Sequence, residues 1–296
     1  MISHLHLHLE PEERKRASLG YGRLEYRSRE QFFDAHRLER GDRFAVASSD
    51  LTDFLHQMHQ EQRAQSVDYV ELRLSPRRFI ADGMTWCEFL QVSHAALNRL
   101  ADPVVRAILL VNRDSPRPLI DEFQERLEQG PPPTFVGLDL AGDELRFPDA
   151  APFSSLFEAA RTRGLGVTVH AGEFGGEESV WQALDDLGAS RIGHGLAAGT
   201  SAALLERLRR DSILVETSLG SNVSLGAVTS LQAHPARMLF EHDIPLCFNA
   251  DVPLHTGRSF HDELGMAAKL LSMSCAEVLG IQARAAQFGF TRPPER

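Results

Sequence analysis

ISHLHLHLE, residues 2–10, sets His4, His6 and His8 at alternate positions among leucines. Alternation with a period of two is the signature of a β-strand, in which residues i and i+2 share a face. The spacing predicts a strand over 2–9, with Leu5, Leu7 and Leu9 on one face and the three imidazoles on the other. Buried imidazoles need partners for their ring nitrogens. Several on one face point to a divalent metal, for which neutral imidazole is the commonest protein ligand.

Seven further short apolar runs follow, over 68–74, 105–112, 135–141, 166–171, 191–195, 213–218 and 245–250. Between many of them lie stretches with helical spacing of apolar residues, at 51–64, 85–101, 119–129, 154–164, 179–188 and 201–210. Strand–helix alternation repeated eight times predicts parallel strands joined by helical crossovers. In a chain of 296 residues this fits an α/β fold of the closed (β/α)8 TIM-barrel type. An open doubly wound sheet is the weaker reading, because no GxGxxG or GxxxxGK[ST] follows an early strand. RDSPRP (113–118) and QGPPPTF (129–135) read as Pro-rich turns too short to link domains, so one domain over 1–296 is expected. FTRPPER, at 290–296, lacks a helical pattern and is expected to fray.

With 31 basic against 41 acidic residues, the net charge of −10 disfavours a nucleic-acid partner. No run approaches about 18 apolar residues, and the N-terminus lacks a signal-peptide layout. A soluble, cytoplasmic protein with no membrane partner is expected. Cys87, Cys247 and Cys275 are odd in number and widely spaced, which predicts reduced thiols filling the core.

Barrels of this type carry their chemistry at the C-terminal ends of the strands. His6 and His8 lie nearest that end of the first strand. His4 lies about 13 Å below His8 along a strand, too deep to share a metal, and is expected to be buried filler or a hydrogen-bonding support. The fifth strand ends in VHAGE, offering His170 and Glu173; the sixth in IGHG, with His194 between two glycines; the eighth in FNADVP, with Asp251. Three histidines and an aspartate leave an open coordination position on zinc, as catalytic sites require. Such an ion lowers the pKa of water from about 15.7 to about 7.

HLHLE, VELRLSP, DLAGDE, VHAGE, RIGHG, ETSLGSN and FNADVP together resemble the ordered motifs of the adenosine deaminase family of metal-dependent hydrolases, one per barrel strand from residue 4 to about 290. The resemblance implies one zinc ion per chain held by His6, His8, His170 and Asp251. It implies that Glu173 protonates a ring nitrogen of the substrate, for which a carboxyl with a raised pKa is suited. His194 is implied to take a proton from the attacking water and hold it, with Asp251 touching the same water. Gly142 matches a glycine whose backbone N–H binds another ring nitrogen, and Glu10 an acidic position that faces the ribose.

The pattern departs from the family at Val252, which stands where the second aspartate of Asp-Asp-Pro is usual. Valine cannot bond a purine N7, and an unmade buried hydrogen bond costs about 1–3 kcal/mol. Pro11 replaces a usual glycine, which stiffens the loop after the first strand. The segment 11–29 carries Arg14, Lys15, Arg16, Arg23, Arg27 and Arg29 against Glu12, Glu13 and Glu25. It is expected to lie over the site, either as a solvated lid or holding an anionic group of the substrate. Ser218, Ser221 and Asn222 are candidate substrate contacts, and Glu71 with Arg73 a buried structural pair. The expected activity is hydrolytic deamination of an amino-substituted nitrogen heterocycle, adenosine or a modified or charged adenine nucleoside relative. The alternatives are hydrolysis of an amide, ester or lactone, and non-catalytic nucleoside binding.

Overall fold

Eight strands form the centre of the molecule: β1 (Ser3–His8), β2 (Tyr69–Leu74), β3 (Val104–Asn112), β4 (Phe135–Ala141), β5 (Gly166–Ala171), β6 (Arg191–His194), β7 (Leu214–Thr217) and β8 (Leu246–Phe248). The computed structural model describes residues 1–26, 28–37 and 44–291. The strands pair in parallel and in sequential order. A parallel bridge between Leu7 and Asp251 joins the last strand back to the first. His8 N–H donates to the Asp251 carbonyl at 2.8 Å and Asp251 N–H to the His6 carbonyl at 3.2 Å. The (β/α)8 barrel expected from the alternation is therefore present, and its seam runs through three of the candidate metal ligands.

The outward faces of the strands explain the apolar runs. Leu72, Leu109, Leu138, Val169, Ile192 and Val215 are fully buried or nearly so in one continuous core with the surrounding helices. Each such side chain contributes about 1.5–3 kcal/mol relative to exposure. The helices form where the sequence supplies both a stripe and a stop. In Trp86–Leu97, Thr85 and Glu88 make a reciprocal capping box, while Trp86, Phe89, Ser93, Ala96 and Leu97 are buried. Among the described residues no single helix is long and apolar enough to cross a membrane.

Four expectations are corrected. His4 does not share the face of His6, because a register shift interrupts β1 between His4 and Leu7. Asn249 Oδ1 accepts both the Leu5 N–H (3.0 Å) and the His6 N–H (3.1 Å), capturing two successive donors at this bulge. His4 therefore stacks on Phe260 at 4.5 Å and bonds Gln62 at 2.7 Å, both from the outer helices. Its Nε2 accepts the Ala250 N–H at 2.9 Å, and burial pushes its pKa down to about 4. His4 is a neutral hydrogen-bonding support, as expected of its role but not of its direction.

Glu71 and Arg73 are buried but not paired with each other; each crosses the barrel to other strands, Glu71 to Arg191 at 2.6 Å and Arg73 to Asp139 at 3.0 Å. Of the cysteines only Cys247 fills the core; Cys87 and Cys275 are exposed. Cys87 lies between the inward Trp86 and Phe89 on a helix and faces outward, while Cys275 opens a helix directly after its Ser274 cap.

The frayed end is the fourth correction, for the part of it that is described; residues 292–296 lie outside the described residues. Phe290 turns under the barrel, with its ring 3.7 Å from the Arg191 guanidinium and its N–H donating to Glu71 at 2.6 Å. Thr291 meets the Tyr69 hydroxyl at 2.8 Å. The space for the ring exists because residues 137 and 166 are glycines; a Cβ at Gly166 would lie 2.0 Å from it. Replacing Phe290 by alanine is expected to destabilise the fold by about 2–3 kcal/mol, less than for a fully enclosed phenylalanine. Urea denaturation with an unchanged m-value reads this.

Candidate functional site

At the C-terminal ends of the strands, one imidazole nitrogen from each of His6, His8 and His170 and a carboxylate oxygen of Asp251 lie within 4.8 Å of one another. His6 Nε2 and His8 Nε2 are each 3.2 Å from His170 Nε2. Asp251 Oδ1 is 3.4 Å from His6 Nε2 and 3.3 Å from His8 Nε2. Tetrahedral bonds of about 2.0–2.1 Å give ligand–ligand edges of about 3.3–3.4 Å, so the spacing suits a small divalent cation.

The hydrogen-bond pattern leads to the same reading. His6 Nδ1 donates to Glu216 Oε2 at 2.8 Å, and His170 Nδ1 donates to Asp139 Oδ1 at 3.1 Å. Each ring therefore directs its Nε2 lone pair toward the other's, which is repulsive unless a cation sits between them. Carboxylates behind ligating histidines also fix the tautomer and raise ligand basicity. Arg73 joins the two carboxylates, bonding Asp139 at 3.0 Å and pairing with Glu216. Arg191 lies 2.7 Å from the other Glu216 oxygen, to which Thr168 also donates at 3.0 Å. Burial alone would raise Glu216, but Arg73 and Arg191 hold its carboxyl well below the usual carboxylate range.

Glu173 lies in the loop after β5, where four successive N–H groups, from Gly172 to Gly175, donate to Glu144 at 2.7–3.0 Å. Ser179 adds a hydroxyl donor at 2.5 Å. Glu144 thus pins the loop, and Arg113 steadies it by donating to the His170 carbonyl at 3.1 Å. Burial, with the Asp251 and Glu144 charges, pushes the Glu173 carboxyl well above its ordinary value. The shift favours its protonated form.

A chain of hydrogen bonds orders this acid and its neighbour. Ala236 N–H donates to His234 Nδ1 at 3.1 Å, so His234 carries its proton on Nε2 and donates to Asn222 Oδ1, also at 3.1 Å. The Asn222 amide then faces Glu173 Oε1 and His194 Nδ1, each at 3.0 Å. Burial drives His194 well below its usual pKa. It is a neutral imidazole accepting at Nδ1 and protonated at Nε2. His194 and Asp251 both adopt left-handed backbone, with φ of 63° and 58°, a conformation rare away from glycine and concentrated at functional sites. Gly193 is required for another reason: a Cβ there would stand 3.1 Å from the His6 ring.

A cavity of about 570 Å³ opens above these groups and is lined by His8, His170, Glu173, His194 and Asp251, with Glu10, Gly142 and Val252 also on its wall. Five of the six predicted metal and acid–base residues, together with both substrate-contact candidates, therefore line one space, while His6 is fully buried beneath it with its Nε2 beside His170 and Asp251. Glu10 accepts the N–H groups of Leu254 and His255 at 3.0 Å each, bracing the short helix Pro253–Thr256. Ser218 and Ser221 are fully buried behind the cavity rather than in its lining. Of the segment 11–29, Pro11, Glu12 and Glu13 wall the cavity, and Phe32, Phe33 and His36 extend the wall beyond it. Its basic groups are engaged with the protein itself: Arg14 with Glu61, Lys15 with Asp50, Arg16 with the Gly22 carbonyl, Arg23 with Glu25, and Arg29 with Asp143. Arg27 lies outside the described residues.

Sequence reasoning missed Asp139, Glu144, Glu216 and His234. The first and third do leave a signal: a lone carboxylate within an otherwise apolar strand, in FVGLDLA and LVET. Such a residue is buried only with a partner.

The family model for adenosine deaminase matches residues 22–296. An adenosine deaminase from Edwardsiella ictaluri is 35% identical over 234 residues, covering 78% of this chain and 70% of the relative. Two further adenosine deaminases, at 40% and 41% identity, match over 161 residues, so the chain spans about half (48%) of their length. Among solved structures, adenine deaminase from Arthrobacter aurescens superposes with a TM-score of 0.83 at 24% identity, covering 98% of this chain and 94% of that one. The N6-methyl-AMP deaminase from Arabidopsis thaliana does so with 0.78 at 21%, covering 98% and 92%. At these identities the two structures speak to the barrel alone. The sequence matches go further: the chain belongs to the adenosine deaminase family.

Proposed function

We propose that this protein is a metal-dependent hydrolase that deaminates an adenine-type heterocycle, with His6, His8, His170 and Asp251 as ligands of one zinc ion. The observation that carries this reading is a cation-sized set of three imidazoles and a carboxylate with a buried carboxyl, Glu173, beside it on the same cavity, whose protonated form burial favours. Zinc fits this set because three nitrogens and one oxygen, with space above them, match an open catalytic site. Bound there, the ion supplies Lewis acidity that makes water nucleophilic near neutral pH.

The side chains divide the remaining work. Glu173 Oε1 accepts from Asn222, so Oε2 is left to carry the proton and to donate it to a ring nitrogen. Protonation there makes the adjacent amino-bearing carbon electrophilic. His194, with Nδ1 filled by Asn222 and Nε2 protonated, holds and orients the attacking oxygen by donating to it, so the proton acceptance that the family resemblance implied for it falls to another group. Water adds at that carbon as Asp251 takes one of its protons and passes it to the amino nitrogen; the C–N bond breaks, ammonia leaves, and the second water proton returns to Glu173 as the ring oxygen becomes a carbonyl. Acyl hydrolysis, by contrast, gives a buried acid at this position no ring nitrogen to protonate. The three thiols outside any disulfide suit a reducing, cytoplasmic setting.

Substrate choice rests on the cavity wall. Val252 is buried against it and offers a purine N7 no partner, so adenosine is expected to be a slower substrate than one recognised through other groups. The engagement of Arg14, Lys15 and Arg29 with acidic partners argues against a phosphate clamp in the lid.

Ammonia release from a panel of amino-purines, amino-pterins and cytosine derivatives tests the reading, and no release from any of them refutes it. Glu173→Gln is expected to lose about two to four decades in kcat, whereas near-wild-type turnover would favour acyl chemistry. Val252→Asp is expected to raise kcat/KM for adenosine about ten- to a hundredfold, the equivalent of one buried hydrogen bond. Glu216→Gln should weaken metal affinity about ten- to a hundredfold, read on folded protein by competition with a chromogenic chelator, and lower stability by about 3–5 kcal/mol because Arg73 and Arg191 lose a buried counter-charge.

A further inference from the structure

We infer that a second divalent transition-metal site, of the zinc class, lies in the wall of the same cavity, with Glu13, His36 and His255 as its ligands. The residues come from three separate segments: the helix Pro11–Ser18, the end of the helix Arg29–Ala35, and the short helix Pro253–Thr256. One donor atom from each lies within 4.8 Å of the others. His36 Nε2 and His255 Nε2 both stand 3.4 Å from Glu13 Oε1. That distance is long for a hydrogen bond, but it matches the edge of about 3.3–3.4 Å expected around a tetrahedral ion. It also matches the edges of the first site.

The supporting contacts are those a ligand set needs. His36 Nδ1 donates to the Phe32 carbonyl at 2.6 Å, turning its Nε2 lone pair to the cluster. Glu10 stands 3.7 Å from His255 Nε2 while bracing the backbone beneath it. Two carboxylates are thus buried side by side, and among the described residues neither forms an ion pair with arginine or lysine. A cation would balance the charge on Glu13. Tyr26 and Phe32 pack their rings 5.0 and 5.1 Å from His255 and hold its imidazole in place. Because His36 sits on the segment that covers the cavity, occupancy would fasten that segment to the barrel.

The inference does not depend on the deaminase reading, and the test separates them. Chelator-stripped protein is loaded with Zn²⁺, freed of excess metal, and analysed by plasma mass spectrometry. Two equivalents per chain are expected for the wild type and one for His255→Phe and for His36→Gln. Hydrogen exchange of residues 28–36 should slow with the second equivalent in the wild type and not in either variant. A zinc content that is the same in the wild type and in both variants overturns the inference. That result does not bear on ammonia release by protein holding one equivalent.

Discussion

Arg73 sits at the centre of the barrel between Asp139 and Glu216, and the rest of the structure is arranged around that contact. Each carboxylate points a histidine, His170 and His6 respectively, toward the strand ends. Arg191 continues the column downward by lying between Glu216 and Glu71. Burying charges in an apolar interior is costly, and removing one member of such a set leaves its partner uncompensated, at about 3–5 kcal/mol. Here every member touches at least one opposite charge. The column therefore does two things at once: it fills the barrel with groups that tolerate one another, and it decides which nitrogen each ligating histidine presents.

The second constraint is the seam. β1 and β8 meet by a single bridge, and that bridge holds His6, His8 and Asp251 in register. Asn249 makes this possible by taking two amide hydrogens of the bulged first strand. The left-handed backbone at Asp251 and His194 is tolerated because neighbouring hydrogen bonds over-determine it. The site's geometry is thus a product of how the barrel closes and of the loop after β5 held by Glu144. The side chains that would meet the substrate sit on this frame.

Much of this was legible in the chain. Apolar runs located all eight strands to within about two residues because parallel strands are buried on both faces. Polar residues at the ends of those runs stood out for the same reason, and the structure brings them to one rim. What could not be read involves long-range partners or backbone geometry. Nothing in HLHLHL announces a bulge, so the direction of His4 followed the ideal alternation and was wrong. Glu144 acts on amides some thirty residues away, and the relay through His234 depends on a turn rather than on spacing. The exposed Cys87 shows the converse: a residue type that is usually buried followed the periodicity of its helix instead.

Phe290 has a consequence for how the molecule is made. The ring that seals the underside of the barrel rests on glycines of β4 and β5 and on Arg191, while β1 awaits residues near 250 for its second neighbour. During synthesis from the N-terminus, the first strand leaves the ribosome with one edge open, and the charged column stands uncovered at its lower end. Closure of so non-local an arrangement is inherently slow. Partly closed barrels with unpaired edges are prone to stick to one another. The histidine-bearing strand and that late aromatic stopper thus bracket the interval over which the barrel stays open during synthesis.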